Sequence, residues 1–415
     1  MPAPAVKVEL SADLGNRDPA SFVLNNATKG VLNNTAFTLG GSRFYDISDR
    51  LLDAQTQRGK SQALDRIDAG NGTISLDNYD RLFDPLYEAG TYYGNLIPKR
   101  KIRVSCNGYQ VINGYIDDLD IAYLPPNRSV VAIQFSDAFN TLSDNDLPET
   151  TPVVEKTGAR VNRILDLPTV AWATNEREID AGNTELNDVT IPEGTGALSY
   201  LQQVSTSEAG DLFVAKNGYL TFRARNRAPG VINLVFTDQP LITGMTVIPF
   251  SSLGVVYGSE NLYNRVVLTS NDSPFPDEAV AEDLNSQQIY GARTYTQNGL
   301  PVNSARELQF LADFILARFK DPQYRFESLT LTLDTLTESQ QNEVLDLEIG
   351  DIIQVNFTPS GIPPAIEQYC KVIGISHDWS NSEKQVTLAL ERLDFTLFIL
   401  NDLIFGILDE DRLSF

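Results

Sequence analysis

The side chains best suited to chemistry are few in this sequence, and their spacing limits what they can do. A single histidine, His377, lies in Gly374-Ile-Ser-His-Asp-Trp379. It could serve as the base of a nucleophilic triad, but no G-x-S-x-G elbow supplies a serine for it to activate. One imidazole also excludes a histidine-based metal cluster within one chain. Hydrogen bonding to a neighbouring strand is the role expected of it. Cys106 and Cys370 are the only cysteines, too few for a disulfide scaffold or a Cys-rich metal site. Both fall in strand-like text, where a buried thiol packs as a small apolar group.

The carboxylates are plentiful but poorly arranged for catalysis. In Asp77-Asn-Tyr-Asp-Arg-Leu-Phe-Asp-Pro85, the third and fifth places of a calcium loop are taken by Tyr79 and Arg81. Calcium needs oxygens there and a glycine at the sixth place. The expected role is a turn whose polar side chains cap free backbone donors. Asp117, Asp118 and Asp120 could pair for glycoside hydrolysis. With 55 Asp and Glu in 415 residues, however, such neighbours arise by chance. No G-x-x-x-x-G-K-[ST] or G-x-G-x-x-G is present, so nucleotide binding has no textual support. The residues predict no catalytic centre, no cofactor and no metal site, and a protein that is not an enzyme.

Charge narrows the partners. Lys and Arg number 32 against 55 Asp and Glu, a net charge of −23. Duplex binding needs clustered cations, and this balance argues against it. The densest basic run is Pro98-Lys-Arg-Lys-Ile-Arg103. It reads as a solvated edge, or as a patch meeting an acidic surface on a partner or a sister subunit. No apolar run approaches the roughly 20 residues of a bilayer-spanning helix. The first fifteen residues lack the basic start and apolar core of a signal peptide.

The elements that must position these residues are mostly strands. Ile102, Val104 and Cys106 alternate with polar neighbours, and so do Leu329, Leu331 and Leu333. The runs 130–135, 353–357 and 386–390 are similar, and period-2 alternation marks sheets with one buried face. Asn-Gly pairs at 71–72, 107–108, 113–114, 217–218 and 298–299 predict tight turns. A helix is predicted over 304–320, opened by a Ser304/Glu307 capping box and striped by Leu308, Leu311, Ala312, Ile315, Leu316 and Phe319. Two more are expected, one after Thr195 with Leu198, Leu201 and Val204 inward, and one around 159–165. No repeat of fixed period is visible.

Polar breaks at 143–152 and 225–230 divide the chain. The expected parts are a first β-rich domain (1–150), a small inserted α+β domain (151–228), a second β-rich domain carrying the long helix (229–400), and a C-terminal segment (401–415). In that last segment, apolar residues 403–408 precede Asp409-Glu-Asp411. It either docks on a neighbouring subunit or closes its own domain.

Several stretches, in order, resemble a known family. They are Phe44-Tyr-Asp-Ile-Ser-Asp-Arg50, Arg58-Gly-Lys60, Gly70-Asn-Gly-Thr-Ile-Ser-Leu-Asp-Asn78, Phe83-Asp-Pro85 and Tyr92-Tyr-Gly94. Further along stand Ala197-Leu-Ser-Tyr-Leu, Glu208-Ala-Gly-Asp-Leu-Phe213, Asn217-Gly-Tyr-Leu-Thr-Phe-Arg223, Tyr290-Gly-Ala-Arg293 and Leu347-Glu-Ile-Gly-Asp351. Over roughly residues 35–400 the chain resembles the minor tail proteins, or tail-tip hubs, of long-tailed actinobacterial phages. The resemblance implies a mainly β fold of tail-tube-like barrels with a smaller α+β insert. It implies a structural subunit of the virion tail tip, assembled in the host cytoplasm as a homotrimer below the hexameric tube. The implied neighbours are the distal tail protein, the tape measure protein and other minor tail proteins. It implies no cofactor and no catalytic residue, and the text leaves no stretch long enough for a peptidoglycan-cutting domain. An acidic lining would let a conduit pass DNA without holding it. The alternatives are a distal-tail ring protein, or a carbohydrate-binding or receptor-binding tip module with Tyr87, Tyr92 and Tyr93 as candidate contacts.

Overall fold

Along Tyr324–Thr332, Leu329 and Leu331 are fully buried while Thr330 and Thr332 are only half-buried. The same alternation builds most of the fold. The structure, a computed structural model, describes residues 3–14, 22, 24–31, 43–125, 128–225, 234–238, 246–272 and 276–393. The predicted C-terminal segment and most of the 225–230 break lie outside these residues.

Among the described residues, fourteen strands form the main sheet. Seven come early: β1 (Val6–Ala12), β2 (Arg43–Asp46), β3 (Leu51–Gly59), β4 (Asn71–Asp77), β5 (Lys101–Cys106), β6 (Tyr109–Leu124) and β7 (Arg128–Ser136). Seven come late: β8 (Leu234–Thr237), β9 (Thr246–Ile248), β10 (Ser252–Tyr257), β11 (Tyr324–Thr332), β12 (Ile352–Phe357), β13 (Ile366–Ser380) and β14 (Lys384–Arg392). The spatial order of the first set is β3-β4-β7-β6-β5-β1-β2. That of the second is β10-β11-β14-β13-β12-β8-β9, the same order shifted by seven. One direction differs: β1 runs antiparallel to β2 and β5, whereas β8 runs parallel to β9 and β12. The long strands β6 and β13 each slip register against their hairpin partner, at Ile116/Asp118 and at Val372/Gly374. The fold therefore repeats a topology that the sequence does not show.

The two sets join through β13. Its first half pairs with β12, its second half with β3, from Gly374↔Gly59 to Ser380↔Asp53, and its other edge with β14. At the crossing the backbones nearly touch. Gly59 has φ +91°, and a Cβ there would stand 2.3 Å from the Ile373 carbonyl oxygen and 2.6 Å from the Gly374 Cα. Only glycine fits such a place.

Three apolar cores result among the described residues. The largest runs through both strand sets, from Val8 to Leu390, and includes Trp379. The second centres on the α+β insert and takes in residues before and after it, Phe139 and Ile349 among them. It packs Phe139 of α1 (Ala138–Ser143), Val161, Ile164 and Leu165 of α2 (Thr157–Leu165), and Leu201 and Val204 of α3 (Ala197–Glu208) against the hairpin Asp211–Val214 and Leu220–Arg223. The third lies between α5 (Ala305–Phe319) and the strands Arg265–Ser270, Glu278–Glu282 and Thr294–Leu300. The fold is mainly β, as the alternation predicted, and the three expected helices form. Ser304 accepts the Glu307 N–H at 3.3 Å. The helices α1, α4 (Leu284–Tyr290) and α6 (Glu338–Asp346) were not legible, although Thr337 and Gln340 cap α6 reciprocally.

The Asn-Gly prediction needs correction at three of its five places. Asn107-Gly108 and Asn217-Gly218 do turn the chain, with positive φ at both glycines. Asn71-Gly72 and Asn113-Gly114 lie inside β4 and β6, where Phe135 takes the space a side chain would fill, 2.4 and 2.8 Å from a Cβ built there. Asn298-Gly299 sits inside the strand Thr294–Leu300, at the register shift of its ladder. Gly59→Ala should destabilise the protein by about 2 kcal/mol or more, from left-handed backbone strain plus the clash. Urea unfolding measures this, and an unchanged midpoint would contradict the close approach of β3 and β13.

Candidate functional site

Arg58 and Lys60 flank the crossing glycine, and both are drawn inside. The Arg58 guanidinium donates to Glu348 Oε1 at 2.7 Å. The same carboxylate accepts the N–H of Ile349 at 2.8 Å and that of Lys216 at 2.8 Å. Lys216 sits in the turn of the insert's hairpin, and Glu348 precedes β12. One buried carboxylate thus ties the first strand set, the insert and the second strand set together. Asp211 forms a second knot. It accepts Lys60 Nζ at 3.1 Å on one oxygen and Lys371 Nζ, from β13, on the other. Around the rim, Arg223 donates to the Ile349 carbonyl and to Asp351, and Asn113 donates to the Lys216 carbonyl at 2.7 Å.

Burial alone would raise the Asp211 carboxyl, but the charges of Lys371 and Lys60 outweigh it and hold it below the usual carboxylate range. Burial likewise opposes ionisation of Glu348, and the Arg58 charge with two backbone N–H donors reverses the balance. Lys60 loses solvation too, and the carboxylates of Asp211 and Glu391 leave it more basic than a free lysine. Each ion is held by its partners, so removing one leaves the other charge uncompensated. A cleft of about 100 Å³ opens beside this junction, among Lys60, Gln202, Asp211, Tyr295, Phe314 and Arg318. Three of its four lining cations, Lys60, Lys371 and Arg318, already face Asp211 and Glu391.

The residues singled out for chemistry occupy structural positions. His377 is buried on β13, its Nδ1 3.0 Å from Thr56 Oγ1 on β3, its ring edge-on to Trp379 at 4.9 Å. Burial first, then the Arg58 and Lys216 charges, lowers it to about 3, so it is neutral at pH 7 and a poor base. Cys106 and Cys370 are fully buried, and burial pushes both thiols up to about 12. A nucleophile needs thiolate, which neither provides near neutrality.

The Asp77–Pro85 acids cap turns: Asp77 accepts from the Tyr79 N–H at 3.3 Å, and Asn78 from the Phe83 N–H at 2.8 Å. Asp84 accepts from the Leu86 N–H at 2.9 Å, from Arg81, and from the Tyr123 hydroxyl at 2.8 Å. Asp117 and Asp120 accept from Asn140 and Gln134, and Asp118 from the Leu119 N–H. Of the tyrosines, Tyr92 is buried and stacked on Phe83 at 5.7 Å, Tyr87 lies beneath the Arg81 guanidinium, and Tyr93 is exposed. The basic run meets its own chain: Lys99 pairs with Asp144 at 3.0 Å, Arg103 with Glu9 at 2.6 Å, and Lys101 lies over the Tyr115 ring. Among the described residues, no three or more His, Cys, Asp or Glu are placed to hold a metal ion. None of their helices is long and apolar enough to cross a membrane.

Sequence reading assigned the junction no role, although its parts stand in four of the stretches that carried the family resemblance. The available signal was charge inside apolar text, as in Leu347-Glu-Ile349 and Asp211-Leu-Phe213.

No protein-family model matches this chain, and no curated protein does. Solved structures do. A tail protein from Neisseria meningitidis MC58 is similar over 95% of this chain and 97% of its own, at 13% identity and a TM-score of 0.59. The 43 kDa tail protein of prophage MuSo2 from Shewanella oneidensis is similar over 94% of this chain and 98% of its own, at 12% identity and a TM-score of 0.57. The chain shares their fold.

Two outcomes follow from the junction. Glu348→Ala should cost about 3–5 kcal/mol, and replacing both partners (Arg58→Met with Glu348→Leu) should cost less than that single change. Denaturant midpoints decide, and a double variant weaker than Glu348→Ala would contradict the account. Folding keeps His377 neutral, whereas the unfolded chain protonates it below about pH 6.5. Stability should therefore fall as pH drops from 6.5 towards 3, by about 1.4 kcal/mol per unit from this group. His377→Leu should remove that share of the slope in thermal melts between pH 6.5 and 4.5.

Proposed function

We propose that the chain is a structural subunit of a phage-type tail, specifically a hub-like ring protein at the tip that joins the tube to the distal end. The observation that carries this reading is the repeated strand order. A chain with two equivalent strand units presents six of them in three copies, which matches a hexameric tube above. The likeness to two tail proteins over nearly the whole chain supports a tail role. The buried, neutral His377 and the inert thiols support a part that works by shape, not by turnover.

In this reading, residues 1–150 and 229–400 supply the ring and residues 151–228 hang from it. The distal tail protein, the tape measure protein and other minor tail proteins are its neighbours. The excess of 55 acids over 32 cations favours a DNA path that repels phosphate, over a screening distance of about 8 Å. The chain would be assembled in the host cytoplasm and reside in the virion.

Copy number tests the reading. Quantitative mass spectrometry of purified particles should find three copies per tail, and imaging with a tagged chain should place the tag at the tip. Six copies would make it a distal-tail ring protein, and absence from the particle would overturn the tail role.

A further inference from the structure

The contact that joins the two strand sets within one chain has an unfilled counterpart. β13 pairs with β12 along its first half, and the same edge takes β3 along its second half. β6 is the equivalent of β13. It pairs with β5 as far as Tyr115, while β7 takes the opposite edge out to Leu124. Ile116 still bonds Arg100 and Lys99 through its backbone, and beyond it, among the described residues, no strand pairs with the edge that matches the β3 place. β10 is the equivalent of β3, and among the described residues it pairs only with β11. We infer that β6 of one copy pairs along residues 118–124 with β10 of a second copy, head to tail, repeating between chains the contact that β13 and β3 make within one. This rests on the proposed ring function and names its interface.

The ladders give the register. Asp118 faces Gln134 as Gly374 faces Ala389. Gln134 faces Thr73, and Ala389 faces Ser328. Thr73 faces Gln55, and Ser328 faces Gly254. The ladder from Gly374↔Gly59 to Ser380↔Asp53 thus translates to Asp118 opposite Gly258 and Leu124 opposite Ser252. A glycine again stands at the crossing place. The pairs between are apolar on one face: Leu119 opposite Tyr257, Ile121 opposite Val255, and Tyr123 opposite Leu253. Such cross-strand pairs stabilise a sheet.

The exposed residues agree with this match. Tyr257 is 70% exposed and Tyr123, whose hydroxyl donates to Asp84, 54%, so both rings are open to a covering strand. β10, Ser-Leu-Gly-Val-Val-Tyr, carries no charge, so Asp118 and Asp120 meet no like charge across it. An apolar, uncharged edge strand is one that folded proteins cover. The partner is a second copy because the template contact is made between units of this same chain. Because the contact is head to tail, it either closes a ring or runs on as a filament.

Particles assembled with a chain carrying Asp120→Cys and Val256→Cys test the pairing, since these residues fall opposite each other. Cys106 and Cys370 are buried and do not compete. After mild oxidation, non-reducing electrophoresis should show species of two and three joined chains, and each single substitution should show one chain only. Three copies per particle without joined chains would overturn the pairing and leave the ring function standing. Absence of the unsubstituted chain from particles would overturn the function on which the pairing rests. Tyr257→Lys should unfold at the parent temperature yet enter particles about tenfold less. Full incorporation would also overturn the pairing.

Discussion

A charge taken out of water must meet an opposite charge, and the architecture turns on one place where this happens. Arg58, Lys60, Asp211, Glu348 and Lys371 come from both strand sets and from the insert, and they satisfy one another where β3 crosses β13. Apolar contacts tolerate sliding, but a desolvated carboxylate with three donors does not. Glu348 can hold Arg58 and the Ile349 and Lys216 N–H groups at once in only one arrangement. The insert's orientation is therefore set electrostatically, with Ile349 added to its apolar core from the main body. Glycine at 59 lets the backbones come close enough for this to occur.

The repeated topology shows how little identity a sheet needs. Ile74 corresponds to Leu329, Leu76 to Leu331, Val131 to Val386, Ile133 to Leu388 and Phe135 to Leu390, and all ten are buried. The pairs keep burial and alternation while the side chains differ. The connections diverge more. Between β3 and β4 lies a short loop, whereas the equivalent link between β10 and β11 carries the third core with α4 and α5. Insertions collect at such links because ladder partners constrain the strands and not the loops.

The polar residues that first suggest chemistry are spent on structure. Asp84 organises a turn and holds Tyr123, and the basic run at 99–103 meets acids and a ring of its own chain. His377 fills a buried place between Thr56 and Trp379.

The sequence by itself determined the class of the fold and its local pieces. Alternation of apolar residues is a property of neighbours, so the strands around 104, 133, 329 and 388 and the helix opened by Ser304 were legible. So was the lack of a nucleophile or nucleotide motif. Only the tertiary structure decided which Asn-Gly pairs turn. Asn107-Gly108 does, while at Asn71-Gly72 the ring of Phe135, distant in the chain, claims the space. It also decided that Arg58 meets Glu348, 290 residues away, and that one strand order occurs twice. Alternation needs only the next residue, but pairing and ion matching depend on which distant segment shares the same dry volume.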